Sequence, residues 1–221
     1  MGLNFTSNIF DGNIAENGGA LYIEDGPNME LNENRDIYFE NNIFSKNIAY
    51  NFGGAIYSNF TKFHLAIVNN NKIIYNKADI MGGGIYSPNS VNKTSFNVNK
   101  VTIKNNTAGS LDDNYSSKPY YINLDTPLNN NIINIMSGDR FPLSFTLYDE
   151  FHNTIKDNTK YYSSLILKVM LNPKNNDYNE NQKHQLINNI GSFTNGDYYI
   201  NKQKTYYIYI YNSFTYLNIK Y

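Results

Sequence analysis

Hydrolysis of a glycosidic bond calls for two carboxylates about 5 to 9.5 Å apart, one to give a proton and one to attack or activate water. Outside the insertion that begins at Glu24-Asp25, the first half of this chain offers one acidic doublet, Asp112-Asp113, and no Arg or His recurs in phase with it. The pair therefore reads as a solvated turn. The three histidines, His64, His152 and His184, stand far apart in a chain without cysteine. Thiol nucleophiles, disulfide frameworks and zinc clusters are thereby excluded, and the redox compartment stays open. His64 sits in a strand-like run with no Ser or Cys motif beside it and reads as an exposed strand residue, while His152 and His184 read as loop residues. The insertion carrying Glu24, Asp25, Glu30, Glu33 and Asp36 with Arg35 could cradle calcium between carboxylates, although acidic loops of this kind usually stay solvated. Asp177-Tyr178-Asn179-Glu180-Asn181 opens like an EF-hand loop but fails at once. Gln182 stands where that loop requires Gly, and Asn188 where it requires Glu. The expectation is no catalytic residue, no metal and no cofactor.

Asn-x-Ser/Thr acceptors for glycosylation occur at Asn4, Asn59, Asn92, Asn105 and Asn114. With 41 Asn in the chain, chance alone supplies about five such triplets, so their number carries no weight.

The elements that would position any of these residues are β-strands. The chain has 221 residues with 18 basic against 19 acidic side chains and 17% charged residues, so the charge excess of a nucleic-acid binder is missing. Its 21 Tyr, 13 Phe and abundant Ile and Asn favour strands and turns over helices. The longest nearly uncharged apolar stretches, such as Ser163 to Leu171 and Tyr206 to Tyr211, are far shorter than the ~20 residues of a membrane helix. The N-terminus matches neither a secretory signal nor the myristoylation pattern. Because the first repeat starts almost at residue 5, the chain is expected to be a piece of a longer protein.

Three segments align: Gly18-Gly19-Ala20-Leu21-Tyr22, Gly53-Gly54-Ala55-Ile56-Tyr57 and Gly82-Gly83-Gly84-Ile85-Tyr86. Upstream stand Phe10-Asp11-Gly12-Asn13-Ile14-Ala15, Phe44-Ser45-Lys46-Asn47-Ile48-Ala49 and Ile73-Ile74-Tyr75-Asn76-Lys77-Ala78. A fourth copy, Ile103-Lys104-Asn105-Asn106-Thr107-Ala108, lacks a full glycine block after it. Measured on Ala15, Ala49, Ala78 and Ala108 the steps are 34, 29 and 30 residues, a period that means a solenoid or propeller. The runs between glycine blocks carry no helical stripe, which excludes helical repeats. Two or three strands per 30 residues suit a coil of a parallel β-helix better than a four-stranded propeller blade. In such a coil Asn13, Asn47, Asn76 and Asn106 would stack as an amide ladder at one corner. Gly18, Gly19, Gly53, Gly54, Gly82 and Gly83 would supply positive φ or close approach at another, before Leu21, Ile56 and Ile85 enter the core.

These residues resemble the polymorphic outer membrane protein repeat, whose paired signatures are Gly-Gly-Ala followed by Ile, Leu or Val, and Phe-x-x-Asn. The first two copies match in full. The third replaces Ala by Gly84 and Phe by Ile73, and the fourth keeps only the Asn-x-Ala part, so the resemblance covers about residues 5 to 110. It implies a right-handed β-helix passenger region on a cell surface, used for adhesion, display or spacing. The same fold also hosts polysaccharide lyases and hydrolases.

From about Lys118 the glycine block disappears, and Pro119, Pro127 and Asn129-Asn130-Asn131 mark a junction. The second half reads as strands at sandwich spacing: Tyr120 to Leu124, Ile132 to Met136, Leu143 to Tyr148, Ser164 to Leu171, Gln185 to Ile190, Tyr198 to Asn201, Thr205 to Tyr211 and Thr215 to Lys220. Its turns loosely resemble those of Ig-like or filamin-like repeats in large surface proteins. In the tail, alternation places Tyr207, Tyr209 and Tyr211 on one face, as any half-buried strand would.

The expected architecture is thus all-β, with a right-handed parallel β-helix over residues 1–117 followed by an Ig-like β-sandwich over 118–221. The expected function is a non-catalytic, surface-exposed structural or adhesive module meeting protein or glycan, not nucleic acid, with no membrane span in this chain. The alternatives are a carbohydrate-active β-helix enzyme using Asp112 and Asp113, and an intracellular scaffold.

Overall fold

The computed structural model describes residues 3–26, 37–60, 63, 66–88, 100–127, 143–157, 159–162, 164–168, 190–193 and 196–200. Every regular element among them is a β-strand. Two compact units emerge, one of residues 1–119 with 149–159 and one of 120–148 with 160–221.

The first unit is a stack of rungs. Strands β1 (Leu3–Thr6), β2 (Ile9–Asp11), β3 (Ile14–Asn17) and β4 (Leu21–Glu24) make the first, and β5 (Ile37–Glu40), β6 (Ile43–Ser45), β7 (Ile48–Phe52) and β8 (Ile56–Asn59) the second. The third comprises β9 (Ile67–Asn69), β10 (Asn71–Ile74), β11 (Lys77–Ala78) and β12 (Ile85–Tyr86), and the fourth begins with β13 (Val101–Lys104) and β14 (Thr107–Ala108). Equivalent strands pair in parallel, in the orders β1-β5-β9, β2-β6-β10-β13, β3-β7-β11-β14 and β4-β8-β12. This is a parallel β-solenoid. A rung holds four short strands rather than the two or three read from the sequence, because β11 and β12 span two residues each and leave no visible alternation.

Each corner is forced by backbone conformation. Ser7, Asn41 and Asn70 take φ of 59°, 55° and 50°; Gly12, Lys46, Tyr75 and Asn105 take 67°, 53°, 58° and 56°. Gly18, Gly53 and Gly82 follow at 59°, 70° and 69°. One left-handed residue therefore stands between each pair of successive strands in a rung, and strand alternation then fixes what faces in. Four inward columns result: Phe5, Phe39, Val68; Phe10, Phe44, Ile73, Ile103; Ala15, Ala49, Ala78, Ala108; and Leu21, Ile56, Ile85, Tyr115. Phe39, Phe44, Ile73, Ile56 and Ile85 are fully buried, each contributing about 1.5–3 kcal/mol on leaving water.

The stack ends by reversal. After Gly109, at φ 61°, β15 (Leu111–Asp112) pairs antiparallel with β14 and β16 (Tyr115–Ser116) rejoins the fourth column beside β12. Residues 149–159 close this end. Buried Asp149 accepts hydrogen bonds from the N–H groups of Ser117 (3.1 Å), Phe151 (2.9 Å) and Asn153 (2.8 Å), and the Phe151 ring sits edge-on 4.3 Å from Tyr115.

In the second unit β17 (Pro119–Leu124), β18 (Leu143–Asp149) and β21 (Asp197–Ile200) form one sheet, and β19 (Ile166–Lys168) pairs antiparallel with β20 (Ile190–Ser192). Tyr121 and Tyr148 stack at 5.1 Å, and the Thr146 hydroxyl donates to Asp125 at 2.7 Å. The expected strands at Ile132 to Met136, Thr205 to Tyr211 and Thr215 to Lys220, and most of Gln185 to Ile190, lie outside the described residues.

Candidate functional site

The phased asparagines form a continuous chain of amides. The backbone N–H and Nδ2 of Asn13 both donate to Asn47 Oδ1, at 3.0 and 2.9 Å; Asn47 does the same to Asn76 Oδ1, both at 2.9 Å, and Asn76 to Asn106 Oδ1, both at 2.9 Å. Each Nδ2 also reaches back to a carbonyl of the preceding rung: Asn47 to Phe10, Asn76 to Phe44, Asn106 to Ile73. Asn106 then donates its Nδ2 to Asn114 Oδ1 at 2.9 Å, so the reversing chain supplies the last amide of the ladder among the described residues. Asn47, Asn76 and Asn106 are 0–1% exposed. The side-chain groups of Asn47 and Asn76 are spent on joining rungs, while Asn106 also donates to Lys104 O in its own rung.

A second ladder runs five residues upstream. Asn8 donates twice to Asn42 Oδ1, and Asn42 twice to Asn71 Oδ1, at 2.9–3.1 Å. Its steps are the same 34 and 29 residues as those of the first ladder, and it ends because the next position in register is Val101. Sequence reasoning passed over it, although the repeat of the steps was the signal.

The two glycines of each block do different work. The first turns the chain at positive φ. The second lets the next rung approach: a Cβ at Gly19 would lie 2.3 Å from Gly54 O, at Gly54 2.1 Å from Gly83 O, and at Gly83 2.3 Å from Thr107 O. Gly84, where the repeat otherwise has Ala, also has a cause. A Cβ there would meet Asn114 O at 2.4 Å, so the third rung gives up its alanine to the closing turn.

Outside the last column, Tyr22, Tyr57 and Tyr86 stack ring on ring at 4.9 and 5.7 Å, and Phe52 stacks on Tyr86 at 4.5 Å. The Tyr22 hydroxyl donates to Glu24 at 2.9 Å, a bond that pushes the phenol above its usual range. These tyrosines end each aligned block, a phase that was the signal for a stack the sequence analysis passed over. A sugar ring packs on an aromatic face, and here each inner face is covered by the next ring. Tyr22, at the end of the stack and 48% exposed, presents the accessible ring.

The two members of the Asp112-Asp113 doublet have different surroundings. Asp112 is exposed, whereas Asp113 departs from the expected solvated turn. Its Oδ2 accepts from the Gly82 N–H at 2.8 Å and its Oδ1 from the Ser116 hydroxyl. Burial pushes its carboxyl above the usual carboxylate range, against the pull of those two donors. Asp149 is likewise raised by burial despite the N–H groups of Asn153, Ser117 and Phe151. Glu24 is bound to Tyr22, while Glu30, Glu33, Arg35 and Asp36 lie outside the described residues, as do His64, His184, Asn92, the EF-hand-like segment and the tyrosine tail. Among the described residues no three His, Asp or Glu side chains converge to hold a metal, and no helix is long and apolar enough to cross a membrane. His152 stands exposed at φ 65° and donates its N–H to Asp149 O. Of the glycosylation candidates, Asn4 and Asn105 are exposed and Asn59 is half-buried in β8, but Asn114 has its amide in the ladder.

Strands stacked in parallel and tied by corner amides define the class, a parallel β-solenoid built from a short repeat. The family model of the Chlamydia polymorphic membrane protein repeat matches residues 9–24 and 43–59. The matched segments are β2 to β4 and β6 to β8, the parts of the first two rungs that hold Phe-x-x-Asn and Gly-Gly-Ala. No curated protein and no solved structure matches the chain.

Proposed function

We propose that this chain is a non-catalytic structural module of a cell-surface or secreted, membrane-associated protein, acting in adhesion, display or spacing. The observation that carries this reading is the pair of asparagine ladders within a polymorphic membrane protein repeat. A repeat whose phased polar residues bond to one another builds length and stiffness, and leaves the outer faces of the rungs to vary. In this reading the solenoid is right-handed, residues 1–117 and 118–221 are its two domains, and the second is an Ig-like sandwich. Partners are proteins or glycans met at the surface, and Asn4 and Asn105 are the sequons open to modification. The engagement of both Asp113 oxygens inside the fold supports the structural reading over the hydrolase or lyase reading.

The test pairs location with turnover. Protease shaving of intact cells that express the full-length gene should remove the chain's epitopes, and the purified chain should leave a panel of polysaccharides uncut. Release of oligosaccharides that Asp112→Asn or Asp113→Asn abolishes would overturn the proposal, as would protection from shaving in cells that stay intact.

A further inference from the structure

Tyr75 occupies a corner of the third rung in a conformation that its side chain does not favour. Its φ is 58°, in the left-handed region that a bulky residue rarely enters, while the same corner carries Gly12, Lys46 and Asn105 in the other rungs. The fold supplies no compensating contact. The Tyr75 side chain is 56% exposed, and among the described residues it makes no ring contact and no side-chain hydrogen bond. The register surrounds it with cations. Lys46 holds the same corner in the preceding rung, Lys104 pairs with Ile74 from the following one, and Lys72 and Lys77 flank Tyr75 on β10 and β11. All four lysines are exposed. Strand alternation turns Lys72, Lys77 and Lys104 outward, since Ile73, Ala78 and Ile103 beside them face the core. Rungs lie about 4.8 Å apart, so the backbones of Lys46 and Lys104, two rungs from each other, are separated by roughly 10 Å. The carboxylates nearby stand at the rim: Asp79 is held by Lys77 at 3.5 Å, Asp11 accepts the Ser45 hydroxyl, and Asp112 lies beyond Thr107. Lys46, Lys72 and Lys104 form no ion pair among the described residues. In a chain of net charge -1 this is a local excess of positive charge around one open aromatic ring.

We propose that this corner binds a sulfated polysaccharide, one sugar ring lying on the Tyr75 face and its sulfates on Lys46, Lys72, Lys77 and Lys104. Such a site gives the surface module described above a class of partner and rests on that reading. The apolar C–H face of a sugar covers an aromatic ring, and flexible lysine stems bring point charges to the sulfates at the sugar's edge. Single-stranded nucleic acid suits the corner less, because its bases stack on successive aromatics and the neighbours of Tyr75 along the stack are Lys46 and Asn105. An anionic bilayer also suits it less, since a flat surface broad enough to meet all four lysines meets Asp11, Asp79 and Asp112 as well. A single chain avoids them by running along the corner, from Lys46 over Tyr75 toward Lys104.

Asn105 adjoins Tyr75 and begins a glycosylation triplet, so the full chain is best tested from a host that adds no N-glycans. A heparin-derived octasaccharide, titrated by calorimetry at low ionic strength, should bind with a Kd below about 100 μM, and its desulfated counterpart at least about tenfold more weakly. Tyr75→Asn introduces a residue that the fourth rung already holds at this corner. That variant should keep the parent's unfolding midpoint and bind the octasaccharide about tenfold or more weakly. Lys46→Gln combined with Lys104→Gln should weaken binding by at least about tenfold, whereas Lys118→Gln with Lys168→Gln, exposed lysines outside the patch, should change it less than about twofold. No binding at octasaccharide concentrations up to about 1 mM would overturn the proposal. So would equal weakening by the two lysine pairs, undiminished affinity in Tyr75→Asn, equal binding of the desulfated sugar, or tighter binding of a single-stranded oligonucleotide or of phosphatidylserine vesicles. Each of these results leaves surface location untouched, which protease shaving tests separately.

Discussion

Replacing Gly54 by alanine adds one methyl group, and the geometry converts it into a rung separation. That methyl would stand 2.1 Å from Gly83 O and 2.6 and 2.7 Å from the carbonyl carbon and nitrogen of Lys77. All three are backbone atoms of the third rung, with no flexible end to swing aside. Restoring ordinary contact of about 3.5 Å means parting the second and third rungs by about 1.4 Å at Gly83 O. At the glycine corner four of the backbone bonds that cross that seam are Gly53 N to Met81 O at 3.1 Å, Gly54 N to Gly82 O at 2.8 Å, and Ala55 N and Ile56 N to Gly84 O, each at 3.0 Å. All would pass beyond useful hydrogen-bond length. At about 1 kcal/mol each, with some relaxation, the loss is about 3–5 kcal/mol, a large share of the stability of an ordinary domain. Gly12 is the control, since it too turns at positive φ but a Cβ there meets nothing within 4 Å. The same corner carries Lys46, Tyr75 and Asn105 in later rungs. Gly12→Ala should therefore cost only the left-handed backbone penalty of about 1–2 kcal/mol. Urea unfolding of the two variants measures the difference. A Gly54→Ala loss no greater than that of Gly12→Ala would refute the close-approach argument.

Asn47→Ala strips an amide that accepts two bonds and donates two, and should cost about 1–3 kcal/mol in thermal or urea melts. Asn69→Ala, exposed on β9 with its carbonyl retained for Asn71, should stay within about 0.5 kcal/mol. Gly54→Val should remove exchange protection from the rungs on both sides, while Gly19→Val should release chiefly the first rung, which has a neighbour on one side; equal losses in exchange measurements would contradict stacking. The raised carboxyl of Asp113 makes the folded state the better proton binder. Its contribution to stability is then present at low pH and lost as pH rises from the unfolded value near 3.8 through the folded one. The stability of the parent relative to Asp113→Asn should accordingly fall as pH rises across the carboxylate range, and a difference that rises with pH would contradict the burial assigned to this group.

Much of the solenoid was legible because its parts are periodic. The alanine steps set the rung length, and the glycine blocks marked a corner that only a residue without a side chain can occupy at Gly54. The second ladder at Asn8, Asn42 and Asn71 had the same phase but was hidden by asparagine abundance, since Asn41 and Asn70 beside it look alike in sequence. The closing turn was not legible. Asp113 and Asn114 acquire their roles from Gly82, Ser116 and Asn106, and the antiparallel return that brings them together leaves no periodic mark. Asp149, distant in sequence, joins the same unit through the Ser117 N–H, a contact that spacing alone cannot reveal.

In-register stacking of rungs is the claim on which the rest depends, and the absence of native cysteine makes it directly measurable. Lys72 pairs with Thr102, and Lys77 with Thr107, across the third and fourth rungs. Adjacent parallel strands put such partners about 4.8 Å apart, within reach of a disulfide, whereas a shift of two residues along the strand takes them to about 8 Å, beyond it. Mild oxidation of the full chain should therefore close Lys72→Cys/Thr102→Cys and Lys77→Cys/Thr107→Cys nearly completely and leave Lys72→Cys/Lys104→Cys open. Disulfide formation in the shifted pair at the rate of the matched pairs, or in none of the three, would contradict the stacked solenoid.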